Sequence, residues 1–543
     1  LMVALADQQA TLLGEGVMHG HAEGERQGGL PSEFAIEWTD RVLLEFSDPD
    51  RADGGIERVE FRGDVAATDP RFSVQAEILA AAFVTNDDGD RQLSEIEASG
   101  GTSVRADEGR LSARHMRLAL AEDDAGKLRP TRLRADGDVH VTDGRENLRA
   151  GIIDVTLAAG DDAAGEHDIA KVDVTAATAM DAVELTTESG MRIFADKMQS
   201  NASEGSAFLI GSPVRIERDD TELRVLELTV EAGGRIAHGK GAGEFRFTEA
   251  RADGDSGRRI TVKWSDEMRF DDERDMVQVV GDVVAVAAGD DAEENRLTAG
   301  QATLELTEPP RAAAGRDDDA EFITDRELVL RRITARDDVV LKGSRWAGAR
   351  RDKLQQRLRI AGPILVFENA TEQARVEGPG TMLVEDYRGT TGEPDADTAI
   401  PFTGRGQTLF TWTRRLTLDG AETNIIFEGG VSMTHRPAGE SDLLDLQADR
   451  LVADMHGVGG VQAMQFSEVD SVDIDHIEAV GGVQVRHGDR MISAHRLYYL
   501  DDQQRLLLEA PPGREVEVIR LDQPRPLRSS GILWDLEIGR AHV

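Results

Sequence analysis

The chain of 543 residues contains no cysteine. That removes disulfide frameworks, thiolate zinc sites and cysteine nucleophiles from consideration. Aromatic residues are 4% of the total, so a core must be built from Val, Leu, Ile, Ala, Met and a few Phe. Positive charge is also scarce. With 62 basic against 103 acidic residues the formal net charge is -41, which opposes nucleic-acid binding and electrostatic docking on anionic membrane. Lysine supplies seven of the basic residues, an arginine excess that reads as coding bias. The longest apolar runs, such as Ile78 to Val84, fall far short of the roughly 20 residues of a spanning helix. No basic flank followed by an apolar run marks a leader. The chain starts at Leu1, and its last residues, Glu537 to Val543, resemble the in-frame translation of a sequencing adapter. Both ends are therefore read as cuts. Strong helix signals are missing too; Asp352 to Arg359 fits either a short helix or the lead into a strand near Ile360.

What is present is repetition. Hydrophobic residues make up 40% of the chain, enough for a real core, and the length suits several domains or one repeat array. The stretch Ile96 to Leu120 superposes on a second copy 37 residues downstream. Ala98 then meets Ala135, Gly100 meets Gly137, Val104 meets Val141, Leu111 meets Leu148, and Met116 meets Ile153. The same register recurs at Ala479, Gly481, Val485, Ile492, Ala494 and Leu497. The second half of the unit is its clearest part: apolar, any, Ala, any two, apolar. It stands as Val74-Ala76-Leu79, Leu111-Ala113-Met116, Leu148-Ala150-Ile153, Ile193-Ala195-Met198, Leu446-Ala448-Leu451 and Ile492-Ala494-Leu497.

A sparser landmark, apolar-any-Trp, appears as Ile36-Trp38, Val262-Trp264 and Phe410-Trp412, with a looser Leu533-Trp534. The first three precede an apolar-any-Gly strand at Gly63, Gly281 and Gly429. A larger module therefore restarts near each Trp. This gives a poorly defined fragment at 1–33, repeat modules at 34–250, 251–407 and 408–530, and the start of another at 531–543.

Each small unit reads as a β-hairpin. Val139-His140-Val141 and Val483-Gln484-Val485 alternate with the period of a half-buried strand. A turn such as Asp143-Gly144 follows. The returning strand slips by one position between Ala113 and Met116. A slip of one turns side chains to the other face, so a bulge or strong twist is expected there. A lone hairpin cannot bury an apolar face. The expected fold class is therefore all-β: repeated β-hairpin units forming a long open β-jellyroll or solenoid with two facing sheets.

Catalytic patterns are missing. There is no phosphate loop, zinc helix or nucleophile elbow in the sequence. His19-Gly20-His21 could place two imidazoles on one side of a strand, but the preferred reading is an exposed loop with no metal. The acidic runs Asn86 to Asp90, Asp271 to Glu273, Asp290-Asp291 and Asp317 to Asp319 lack EF-hand spacing and read as solvated turns. The recurring positions are apolar or small, a packing signature that argues against an enzyme. No catalytic residue, cofactor or metal site is expected.

The pattern Ala-x-Gly-(three residues)-Val followed by Leu-x-Ala-x-x-apolar resembles the OstA-like family of lipopolysaccharide-transport periplasmic β-jellyroll proteins, with LptA/LptC-like repeats. It covers much of 56–157 and 425–510 and, more weakly, 276–306. The resemblance implies an open jellyroll whose sheets enclose an apolar groove for lipid acyl chains. It also implies a periplasmic or outer-membrane-associated location. The partners implied are a lipopolysaccharide-like glycolipid and other β-jellyroll transport proteins paired through edge strands. Candidate groove residues are Leu111, Met116, Leu118, Leu148, Ile153, Val155, Leu446, Leu451, Ile492 and Leu497. The alternative is a structural or adhesive envelope repeat protein with a filled core, since lining and core use the same residue types.

Overall fold

The computed structural model describes every residue except 1, 7, 23–31, 48–54, 70–71, 86–90, 107–108, 123–127, 160–171, 232–233, 250–257, 289–292, 308–328, 348–351, 372, 388–405, 421–423, 439–442, 457–472, 501–504, 521–524, 536–539 and 543. The acidic runs at 86–90, 290–291 and 317–319 lie outside the described residues. Among the described residues there is no α-helix; the chain is built of antiparallel strands. Asp352 to Arg359 leads into the strand Leu354–Glu368. Asp271 caps a short 3-10 turn, Asp272–Arg274, by accepting the Arg274 N–H. Two compact units divide the chain at 240/241, inside the strand Ile236–Glu249.

Unit 1 opens with the short strands β1 (Met2–Ala6), β2 (Gln9–Leu13), β3 (Gly16–Ala22), β4 (Ser32–Trp38) and β5 (Arg41–Phe46). Longer strands follow: β6 (Ile56–Asp69), β7 (Phe72–Thr85), β8 (Arg91–Ala106), β9 (Arg110–Glu122) and β10 (Leu128–Thr142). The unit continues with β11 (Asn147–Ala159), β12 (Val172–Thr186), β13 (Arg192–Asn201), β14 (Ser206–Arg218) and β15 (Thr221–Glu231). From β6 to β15 each strand pairs antiparallel with the next in chain order. This is the hairpin repetition expected from the sequence.

Every one of these ladders breaks register near its middle. The break lies between Ser99 and Thr102 in β8–β9, between Asp136 and Val139 in β10–β11, and between Met180 and Val183 in β12–β13. The bulge expected between Ala113 and Met116 is one member of this line. It divides each long strand into two arms. Inward residues before and after it have opposite parity, as in Ala150 and Ile153, both buried.

Two consecutive left-handed residues make most of these breaks; the break at 210–214 in β14 has none. The pairs are Gly63-Asp64, Gly100-Gly101, Gly137-Asp138 and Asp181-Ala182 in unit 1. In unit 2 they are Gly281-Asp282, Asp337-Asp338, Gly429-Gly430 and Gly481-Gly482. Backbones approach closely here, so a glycine is needed on one side. Where the left-handed pair is Asp337-Asp338, the glycine sits on the neighbouring strand: a Cβ built at Gly300 would stand 2.8 Å from the Asp337 Cβ. Gly151 faces Asp181 in the same way, at 2.6 Å.

The Trp landmarks mark a second device. Beside Trp38, Trp264 and Trp412 the long bent strand is replaced by two short ones. The same backbone bonds close each corner. Thr39, Ser265 and Thr413 donate to the carbonyls of Gly63, Gly281 and Gly429, each at 2.8 Å. Gly14, Gly241 and Gly378 donate to Asp40, Asp266 and Arg414. The Trp38 and Trp412 indoles donate to the carbonyls of Gly14 and Gly378 at 2.9 and 3.0 Å. A Gly-any-Gly stretch thus seats a Trp far along the chain, a pairing not read from the sequence.

Gly300→Ala is expected to cost about 1–3 kcal/mol through the Cβ–Cβ clash. In an Asp337→Gly background the same change should cost less than half as much, because the opposing Cβ is gone. Denaturant midpoints of the four proteins check this; equal costs in both backgrounds contradict the one-glycine rule.

Candidate functional site

The inward residues form rows that run across the strands. One row on the first arm passes through Val74, Val104, Leu111, Val141, Leu148 and Leu185, each cross-strand partner of the next. A row on the second arm passes through Ile96, Leu118, Leu133, Val155 and Ala177. All of these are only half-buried. Nearer the bulge, Ala98, Met116, Ala135, Ile153 and Ala179 are buried and form a floor. The arms face each other across a cavity of about 260 Å³. Val141, Leu148 and Leu185 line it from one arm, and Ile153, Ala177, Ala179 and Met198 from the other. Thr142, Asp143, Glu146, Thr178 and Ser200 complete its lining.

In unit 2 the equivalent rows stay half-buried over 276–346, at Ala285, Leu297 and Leu341 and at Val277, Leu304 and Ile333, and are filled from Leu354 onward. Ile360, Met382, Phe410, Met433, Leu446, Val485 and Ile492 form one continuous row. All of them are buried in a single core with Phe427, Leu451, Leu497, Leu508 and Trp534. Phe410 stacks on Phe427 with ring centroids 4.6 Å apart.

The ten sequence-derived candidates therefore separate. Leu111, Leu118, Leu148 and Val155 are half-buried, with Met116 and Ile153 on the floor. Leu446, Leu451 and Leu497 are 0% exposed and Ile492 is 1%. These four are enclosed in packed core and do not line a groove. The physical reason is side-chain volume: rings such as Phe410, Phe427 and Trp412 fill the interior around these four, whereas Ala177 and Ala179 leave space in unit 1. A sequence signal for this existed and was missed. Between Phe83 and Phe194 there is no Phe, Trp or Tyr. Val141, Ala177, Ala179, Leu185 and Met198 also line the cavity without having been singled out.

The outer face over the same strands carries charge. Glu97 Oε1 lies 2.8 Å from His115 Nε2 and 3.3 Å from Arg117 Nη2, and Arg58 Nη2 donates to Glu97 Oε2 at 3.0 Å. His115 Nδ1 is 3.2 Å from Asp136 Oδ2. Partial burial works against the Glu97 carboxylate, but hydrogen bonds from His115, Arg58 and Arg117 outweigh it and hold its pKa at about 2. Burial likewise opposes a charged His115, yet its bonds to Glu97 and Asp136 raise its pKa above the ordinary value.

No family model and no curated protein matches the chain. Among solved structures, LptH from Pseudomonas aeruginosa, the LptA-homologous periplasmic component of the lipopolysaccharide transport device, aligns at 11% identity and a TM-score of 0.18. The alignment covers 26% of this chain and 92% of that one. The TcdB2-TccC3 structure aligns at 10% identity and a TM-score of 0.08, over 100% of this chain and 36% of that chain. At such TM-scores neither likeness carries an argument.

Two outcomes follow. Leu446→Ala should cost about 2–5 kcal/mol, and Leu148→Ala less, about 1–2 kcal/mol, because part of Leu148 stays accessible to water; denaturation midpoints distinguish them. His115 has a raised pKa, so its contribution to stability is complete below pH ~6.5 and is lost as pH rises through the folded value. The Glu97 contribution is complete above the reference value of 4.5 and is lost as pH falls toward about 2. Melting temperature should thus fall above pH ~6.5 in the parent protein, and His115→Gln should flatten that fall.

Proposed function

We propose that unit 1 shelters the acyl chain of a membrane lipid between the two arms of its sheet, and that the protein is a lipid-transport or outer-membrane-assembly component of the bacterial envelope. The observation that supports this is the apolar cavity between the two arms, lined by Val141, Leu148, Leu185, Ala177 and Met198, in contrast to the filled rows that follow Leu354 in unit 2. A contiguous apolar surface facing inward is costly when wet. Burying one methylene is worth about 0.8 kcal/mol, so such a cleft holds an alkyl chain without any special residue. The OstA-like repeat pattern supplies the setting: a periplasmic location, a lipid or glycolipid ligand, and neighbouring β-jellyroll proteins joined through edge strands. In this reading the protein is not an enzyme and uses no cofactor.

The filled core of unit 2 favours a second role for that part of the chain. There the repeats act as a scaffold, the structural alternative, with no space for lipid.

Native mass spectrometry of the full chain purified from a Gram-negative host tests the proposal, with delipidated protein as control. A lipid adduct is expected. Leu148→Arg should abolish it while leaving the circular dichroism spectrum unchanged, since Leu148 lies in a half-buried row. Protein that stays free of adducts after incubation with lipopolysaccharide and phospholipid would sink the lipid reading and leave a scaffold throughout.

A further inference from the structure

The cleft of unit 1 has two ends, and packed side chains fill both. On one side Trp38 tilts against Phe61 at 5.4 Å. Val42, Val65, Ala76 and Leu79 close around them as a separate core. On the other side the first-arm row turns from half-buried at Leu185 to buried at Ile193, Ile216 and Leu223. On the second arm Leu209 and Leu228 are likewise buried. Ala98 of β8 also belongs to the Trp38 core, with Val74 and Ile96 packed against it. Between these plugs run four strands, β9 to β12. At about 4.8 Å per strand spacing they span about 14 Å. A membrane acyl chain is about 15 Å long, half of a hydrocarbon core of about 30 Å. One chain fills that span; two end to end do not fit.

The lip adds chemistry. The two charged side chains that line the cavity are both acids, Asp143 and Glu146. Asp143 Oδ1 accepts the backbone N–H groups of Arg145 and Glu146, which fixes it in the turn. Arg145 faces Glu188 at 3.8 Å, so the nearest cation of that turn is already paired. The whole chain carries -41. An anionic head group meets repulsion at this lip; a neutral or cationic one does not.

We infer that unit 1 is a closed-ended compartment that holds one alkyl chain at a time, attached to a head group without net negative charge, and is not a segment of a continuous conduit. The inference rests on the lipid-cleft reading and specifies its stoichiometry, length limit and head-group class.

The test is titration of the full delipidated chain with alkyl maltosides from octyl to docosyl, read by native mass spectrometry and calorimetry. Alkyl sulfates and alkyltrimethylammonium salts of matched length serve as the head-group series. One alkyl chain per protein is expected at saturation, lost in Leu148→Arg. Affinity should rise roughly fourfold per methylene and then level off once the compartment is full. Sulfates should bind more weakly than maltosides of equal length, and Asp143→Asn/Glu146→Gln should narrow that gap. Two or more chains lost together in Leu148→Arg, or affinity that climbs through docosyl without a plateau, would overturn the closed compartment while leaving the lipid cleft standing. Sulfates that bind as tightly as maltosides would overturn the head-group assignment. Absence of binding by every probe would bring down the cleft reading and this inference together.

Discussion

The structure depends on one constraint: in each long strand the inward face must change parity halfway, and the backbones must approach closely where it does. Two successive left-handed residues achieve the change in most strands, and the register breaks line up from strand to strand. A misplaced break would send one arm's apolar residues to solvent. Crowding at the break explains the small residues beside it, such as the buried Ala113, Ala150 and Ala448. It also explains why the glycine can change strands, from Gly137 on β10 to Gly151 on β11, as long as one stands at each crossing. The repeat is thus a rule about pairs of strands, and identity at any one position is secondary to it.

Given that frame, the character of each region is set by what fills the space between its arms. Aromatic rings do so around Trp38 and around Trp412. The Trp sits where a bent strand is cut in two, and a cut strand cannot carry the bulge, so an indole takes over the corner. Where alanines replace rings, the same backbone leaves a cleft. A scaffold and a binding surface then differ by side-chain volume alone, with no change of topology. Leu148 and Leu446 occupy equivalent repeat positions, yet one is half-buried and the other fully enclosed.

That equivalence explains how much could be read in advance. Hairpins, the slip between Ala113 and Met116, and the all-β class follow from spacing of two and from the Ala-any-any-apolar signature, because local alternation reports directly on strand faces. The candidate site was legible only in part. Leu111, Leu148 and Val155 stand half-buried in the cross-strand rows, but nothing local distinguishes them from Leu446 or Ile492. The distinction depends on residues several strands away: Phe410, Phe427 and Trp534 at one place, Ala135 and Ala179 at another. The signal that was present, an aromatic-free interval from Phe83 to Phe194, is long-range composition, which a repeat-by-repeat comparison averages out. The Gly-any-Gly seats of Trp38 and Trp412 were hidden for the same reason, since Gly14 and Trp38 meet only across the sheet.

Charge completes the division of labour between the two faces. The arginine excess, which looks compositional in the sequence, has a structural use on the outer face. Arg132 grips Asp154 with Nε at 2.8 Å and Nη2 at 2.5 Å, and Arg215 lies 4.2 Å over the Phe194 ring while pairing with Glu217. A planar guanidinium makes such two-point and stacking contacts, and an ammonium does not. Each exposed pair is worth little by itself. Together they place cations among the acids of adjacent strands, where unrelieved like charges would oppose pairing. Arg58 extends this logic across an intervening strand, reaching from β6 to Glu97 on β8 above the buried Ala80. The acids left over keep the surface strongly negative, and that field extends to the lip of the cleft. On the lipid reading proposed above, the apolar interior would retain the chain of a ligand and the acidic exterior would select its head group.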